Sequence, residues 1–211
     1  MLYYTIIPFC THFITYWSSC YIFYLLDLKY LDKNHINWSK YQNAIKTSLI
    51  NQFTISLPTL YFIEDYTIIA INKSINDSYF FTFNKILLII NMSNMLFYIF
   101  HRLLHTKFFY NIIHYKHHEF IEPIAVASLY SHPFEHLFAN TLSFLIPFII
   151  VGIPYYTMLI LTSLGTFITV TSHANYKVIS NHNDHLIHHK LYKYNFGFGG
   201  YLDKILSTYY K

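Results

Sequence analysis

Four stretches of this chain stay apolar over about the 20 residues that a bilayer crossing requires: residues 2–26, 45–63, 84–100 and 137–172. The last is long enough for two passes. Gly152-Ile153-Pro154 near its middle is helix-breaking chemistry and predicts a helical hairpin with short or tilted arms. The second stretch is interrupted by Asn51, Gln52 and Pro58. With no repeat of solenoid period and no Gly/Ser linker, the pattern predicts one all-α integral membrane domain over 1–211. It would have about four transmembrane helices and a helical cap.

The polar stretches between the apolar ones orient this topology. Residues 27–46 hold Lys29, Lys33, Lys40 and Lys46, whereas residues 64–79 hold Lys73 beside Glu64, Asp65 and Asp77. The positive-inside tendency places the first loop, and with it the cap, in the cytosol. The third span then delivers residue 101 to the cytosolic face, and the hairpin returns residues 173–189 to it. Lys190, Lys193, Lys204 and Lys211 add positive charge there. Asn72-Lys-Ser74 and Asn76-Asp-Ser78 are glycosylation sequons on the opposite side, of a kind that an Asn-rich chain produces easily. The first stretch lacks the basic flank and small-residue cleavage site of a secretory signal and reads as an uncleaved anchor.

Composition agrees with a membrane protein: 54% of the 211 residues are hydrophobic and 11% are charged, against roughly 25% charged in soluble domains. The formal charge of +4 is modest, and no arginine-rich stripe or aromatic RNA-binding motif argues for nucleic acid. The 22 tyrosines and 20 phenylalanines accompany a general richness in Ile, Asn and Lys, so individual aromatics carry little functional weight. Cys10 and Cys20 are the only cysteines. About 15 Å of helix separates them, too far for a disulfide, and no cysteine-based zinc site is available.

Histidine changes the picture. All but His12 and His35 of the 14 histidines fall between His101 and His189. They form His101-Arg-Leu-Leu-His105, His114-Tyr-Lys-His117-His118, His132-Pro-Phe-Glu-His136 and His185-Leu-Ile-His188-His189, with His173 and His182 between. Helical residues three and four apart share a face, so each cluster aims several imidazoles at one point. Imidazole is the commonest protein metal ligand, and an all-nitrogen shell suits Fe, Zn, Cu or Ni. The boxed residues His101, His105, His114, His117, His118, His185, His188 and His189 could surround two ions, with His132, His136 and His173 completing the shells. Glu119, Glu135 and Asp184 adjoin these positions and are placed to accept the second N–H of a metal-bound histidine. Asn175, in Ser172-His173-Ala-Asn175, and His182 are further candidates for such support. A metal site at the bilayer edge is placed to act on a lipid chain or sterol carbon. Zinc has no redox chemistry, whereas iron activates O₂.

These boxes, with the downstream Asn195-Phe-Gly197 and Leu202-Asp203-Lys, resemble the fatty acid hydroxylase/sterol desaturase superfamily. The resemblance runs over 91–207. Ser131-His132-Pro133-Phe-Glu135-His136 and Ser172-His173-Ala-Asn175-Tyr look like its sterol desaturase and methyl sterol oxidase branches. The resemblance implies a four-span membrane enzyme of the endoplasmic reticulum, an oxidoreductase of lipid or sterol biosynthesis. Its two Fe ions, replaceable by Zn in preparations, would use O₂ and electrons from NAD(P)H through cytochrome b5 or an equivalent to hydroxylate or desaturate a sterol or fatty acyl lipid. The family often carries an acidic residue in the helix before the first box, where this chain has Asn94. The Asn-Tyr-Gly signature reads Asn195-Phe196-Gly197, and the usual Trp-Asp reads Leu202-Asp203. Two other readings remain at this stage: a membrane protein that binds or carries metal, and an inactive relative serving as a scaffold.

Overall fold

The structure is a computed structural model that describes residues 2–30, 37–174, 176 and 184–210. Asn175 and His182 lie outside the described residues, so their expected roles gain no structural account. Among the described residues there are helices and loops and no strand, as the apolar pattern implies.

Two apolar stretches become helices long and apolar enough to cross a membrane: Tyr79–Leu104 (α5) and the run Pro133–Val151. The first stretch forms α1, Tyr3–Tyr30. Part of the expected loop 27–46 is instead helical, because Asn37 caps a new helix, α2 (Trp38–Asn51), through its side chain to the Lys40 N–H. That helix runs through a π turn, Gln52–Ser56, into α3 (Leu57–Phe62). Pro58 lacks an N–H and its ring crowds the carbonyl four residues back, which lies inside this turn; the wider π ring relieves the clash. Part of the expected loop 64–79 is also helical: α4 spans Glu64–Asn72, with Glu64 and Asp65 in the first turn, where acids favour a helix start.

After α5 come α6 (Lys107–Ile112) and two 3₁₀ segments, His114–Glu119 and Ala125–Leu129. Then α7 (Pro133–Glu135) passes through a second π turn, His136–Leu142, into α8 (Ser143–Val151). The predicted hairpin break falls at residues 152–154, before α9, Tyr155–His173. Gly152 is required there: its φ is +67°, and a Cβ would collide with the Ala70 carbonyl oxygen. The chain closes with α10 (Asp184–Leu191) and α11 (Tyr201–Ile205).

Packing gathers these helices around one end of the molecule. The long helix α1 lies along α9, α5 lies along α8, and the two π turns touch each other. Tyr16, Ala44, Val126, Leu129, Tyr130 and Val170 form a core that joins α1, α2 and α9 to the 125–129 segment. Helix α5 ends at the first histidine box, α9 ends at His173, and the 133–151 run begins there. Both cysteines are free, Cys10 exposed and Cys20 buried.

Candidate metal centre

Nine histidines from four parts of the chain converge as two groups. His101, His105, His114, His118 and His188 form one; His117, His173, His185 and His189 form the other. Within each group one ligand nitrogen per residue lies within 4.8 Å of all the rest. The boxes are interleaved. The 114–118 box gives His114 and His118 to the five-histidine group but His117 to the other, while the third box gives His185 and His189 to the four-histidine group and His188 across. Successive residues turn by about 100° in an α-helix and about 120° in a 3₁₀ turn, so the adjacent pairs His117-His118 and His188-His189 face different groups. The groups are also adjacent: the rings of His118 and His189 stand 4.6 Å apart.

Inside the five-histidine group, His105 Nε2 lies 2.9 Å from His114 Nε2, 3.0 Å from His188 Nε2 and 3.3 Å from His118 Nε2. In the other, His173 Nε2 lies 2.9 Å from His185 Nε2 and 3.3 Å from His117 Nε2. The outward nitrogens show what these contacts are. A carbonyl can only accept, so an Nδ1 bonded to one carries the proton and leaves its Nε2 with a bare lone pair. His117 Nδ1 donates to the Tyr130 carbonyl (3.2 Å) and His173 Nδ1 to the Thr169 carbonyl (2.9 Å). Their Nε2 lone pairs therefore face each other with no hydrogen between them. A cation relieves that repulsion, and nitrogens bound at about 2.0–2.1 Å to a common ion stand roughly 3 Å apart. The donor set fits a metal.

His101 Nδ1 donates to the Phe196 carbonyl (2.6 Å) and His188 Nδ1 to the Tyr194 carbonyl (2.7 Å). The loop offering these carbonyls is tied from behind. Asp203, fully buried, accepts from the N–H groups of Phe196 (2.8 Å) and Gly197 (2.9 Å) and from the Thr208 hydroxyl. Asn195, in the left-handed region at φ 58°, bonds the Tyr210 backbone through both ends of its amide. Asn94, where the superfamily often has an acid, accepts from the Phe198 N–H (3.1 Å). The Asn195-Phe-Gly and Leu-Asp203 signatures thus build the wall that holds two histidines.

Burial keeps the converging imidazoles uncharged. Loss of water, reinforced by neighbouring imidazoles, pushes His105 down to about 2 and His117 to about 4. It also holds His114, His118, His185, His188 and His189 below the usual histidine range. Neutral imidazole is the form that binds metal.

The remaining expected positions sit as follows. Glu135 is buried with Oε2 2.9 Å from His114 Nδ1, a close contact that lies off the hydrogen-bond axis. Glu119 is exposed and accepts from the Tyr130 hydroxyl (2.7 Å), one residue's reach from the carbonyl that His117 uses. Asp184 opens α10, and its carbonyl accepts from Asn195. His132 and His136 are not brought into either group. His132 Nδ1 caps α7 by accepting from the Phe134 N–H, and His136 Nε2 pairs with Ser56 Oγ at 2.8 Å. Sequence reasoning missed the carbonyls of Tyr130, Thr169, Tyr194 and Phe196, since every residue has one. It also missed Asn51, whose amide binds the Leu129 and Ser131 carbonyls and so steadies the Tyr130 strand of loop.

A cavity of about 650 Å³ leads to this site, within the range of roughly 300–1,000 Å³ of small-molecule pockets. His101, His117, His173 and His185 close one end; Ile71, Ile89, Phe148, Ile153 and Met158 line the other. From Ile89 to His101 the wall follows α5 for twelve residues, about 18 Å.

Comparison with known proteins agrees with this geometry. The fatty acid hydroxylase family model matches residues 86–208, the segment that carries all nine converging histidines. The chain is 34% identical over 175 residues to human (Homo sapiens) fatty acid hydroxylase domain-containing protein 2, covering 80% of this chain and 52% of that one. It is 37% identical to Arabidopsis thaliana sphinganine C4-monooxygenase 1 over 53% of this chain and 48% of the relative. With a very-long-chain aldehyde decarbonylase of Oryza sativa subsp. indica the identity is 32%, over 53% and 49%. The chain spans about half the length of the curated relatives it matches, and no solved structure matches it. A family model spanning more than half of the chain, over the very residues that build the histidine wall, establishes that this chain belongs to the fatty acid hydroxylase family.

Proposed function

We propose that this protein is a membrane-bound di-iron oxygenase that hydroxylates or desaturates a sterol or fatty acyl lipid. One observation carries the reading: two abutting groups of neutral histidines, with bare Nε2 lone pairs about 3 Å apart, close the end of a long apolar cavity. The sphinganine monooxygenase and aldehyde decarbonylase names of its relatives support a lipid chain as the target.

Bound iron supplies the electron transfer to O₂ that attack on an unactivated C–H bond needs. Hydroxylation consumes O₂, two electrons and two protons, leaving one oxygen in the lipid and one in water. The electrons come from outside, through cytochrome b5 or an equivalent carrier. The chain's own part is threefold. The nine histidines hold two ions, Fe in the working enzyme, with Zn able to replace it. The carbonyls of residues 130, 169, 194 and 196 lock the rings of His117, His173, His188 and His101, so that those lone pairs do not have to reorient. The apolar wall excludes water and sets one carbon of the lipid against the site. His132 and His136 act outside this shell, and the four apolar segments cross the endoplasmic reticulum membrane with the histidines on the cytosolic side.

The test is metal analysis and turnover together. Purified protein is expected to hold two irons per chain and to convert a sterol or acyl lipid with O₂ uptake. His188→Ala is expected to abolish product while the protein still inserts in membranes. Full turnover by that variant would refute the assignment.

A further inference from the structure

The cavity reaches the two histidine groups unequally. His117, His173 and His185 of the four-histidine group line it, whereas among the described residues the five-histidine group meets it through His101. Away from the cavity, the five-histidine group is covered by two tyrosines. The Tyr192 ring centre stands 4.9 Å from that of His118. The Tyr110 ring stands 5.7 Å from His105 and 5.8 Å from His118. The two tyrosine rings meet edge to face at 6.0 Å, and both are partly exposed. A single layer of rings thus stands between these imidazoles and the surface.

The backbone at Tyr192 is strained. Helix α10 ends there: the Tyr192 N–H donates to the His188 carbonyl (2.8 Å), and its φ is +62°, in the left-handed region. Helices that stop this way ordinarily place glycine or asparagine at this point, because a bulkier side chain is strained there. Packing of the Tyr192 ring on His118 and Tyr110 has to offset that strain, and such strain collects at functional sites.

The rim of this patch is basic. Lys190 and Lys193 are exposed on either side of Tyr192 in sequence, and Lys107 is exposed one turn before Tyr110 in α6. Glu122 stands 3.8 Å from Lys190 with both side chains largely in water, a pair too weak to exclude a partner. On the 114–119 segment, Lys116 and Glu119 add one charge of each sign. The exposed apolar residues of α6, Phe108 and Ile112, point nearly opposite to Tyr110, since two residues turn a helix by about 200°. The tyrosine face is therefore not the apolar face of this helix.

We propose that an acidic one-electron carrier protein docks on this basic rim, centred on Tyr192, and delivers electrons on the side of the five-histidine group. The proposal rests on the oxygenase reading above and adds the entry point for its electrons. In each encounter the carrier is oxidised by one electron and the centre is reduced by one. Two encounters supply the pair that hydroxylation consumes, while the lipid approaches through the cavity. Weak electron-transfer complexes bury little area and are steered by complementary charge, so a few exposed lysines suffice. Anionic lipid headgroups would also attract lysines, but the partly exposed tyrosine pair favours a protein, since tyrosine is enriched at protein interfaces.

The experiment measures equilibrium binding of the soluble haem domain of cytochrome b5, as the acidic probe, to the detergent-solubilised, metal-loaded full chain. Binding is expected at low ionic strength and should weaken as salt is raised. Cytochrome c, a basic carrier, should bind about tenfold more weakly. Lys190→Glu combined with Lys193→Glu should weaken the acidic probe about tenfold with metal content unchanged. Tyr192→Asn, which suits the left-handed backbone, should weaken it as well. Lys73→Glu, exposed before the start of α5 and so a full helix length away, should change nothing. Absence of binding, or affinity untouched by the double reversal, overturns the docking site even where the chain oxidises lipid. Affinity lost in the double reversal, by a chain that oxidises no lipid, upholds the docking surface and refutes the oxygenase reading instead.

Discussion

The two histidine groups are held differently, although each contains a residue from the same two H-x-x-H-H boxes. The five-histidine group leans on a distant loop: the Tyr194 and Phe196 carbonyls orient His188 and His101, and that loop depends on Asn94, Asn195 and Asp203. The four-histidine group leans on nearby backbone, with His173 bonded to the carbonyl four residues earlier in its own helix and His117 to Tyr130. A remote brace fixes orientation more sharply but fails as a unit. A local one survives damage elsewhere. The comparison predicts that lesions in the C-terminal loop act on one group first.

The largest effect should come from the ligands themselves. His118→Ala and His185→Ala, one in each group, should both drive product formation below detection, with membrane insertion unchanged. Product from either variant at the wild-type rate would mean that only one group serves the chemistry. Next is Asp203→Ala, which frees two loop N–H groups and should weaken metal binding about 10–100-fold, in line with the loss of a ligand's support. The loss should fall on the five-histidine group. Competitive chelation followed stepwise checks this, and an equal loss of both ions would erase the distinction.

Smaller is Gly197→Ala. Its Cβ would sit 3.0 Å from Asn94 Oδ1 and 3.1 Å from Asp203 Oδ2, so crowding should cost about 1–3 kcal/mol, read as a lower unfolding midpoint. The gentlest probe is pH on metal-stripped protein. Unfolded histidines take up protons below about 6.5, whereas native His117 resists until about 4 and His105 until about 2. Stability is then complete above pH 6.5 and drains away as pH falls toward 4. A midpoint that stays level over that interval would show that the imidazoles are not buried as described.

Much of the site was legible from spacing. His185 and His189 meet because residues four apart share a face of α10, and the Gly152-Ile153-Pro154 break ends one helix where the next begins; His114 and His118 meet as the spacing suggests, but on a 3₁₀ turn rather than an α-helical one. What spacing could not show is the partition: His117 and His188 cross to the opposite group, a fact fixed by the tertiary angle between segments. His132 and His136 look like ligands in a string, yet one became a helix cap and the other entered the cavity wall, because Pro133 turns the chain at that point. Helices α2 and α4 extend into charged stretches that read as loops. Local capping by Asn37 and the acids of Glu64-Asp65 outweighed average polarity there.

The crossing of His117 and His188 has one more consequence. Neither group can close until both boxes have docked, so under the two-ion proposal an ion held by one group would draw the segments of the other into place. Linkage between the two sites would then be built into the chain path itself, and loosening one box should be felt, more weakly, at the group across from it.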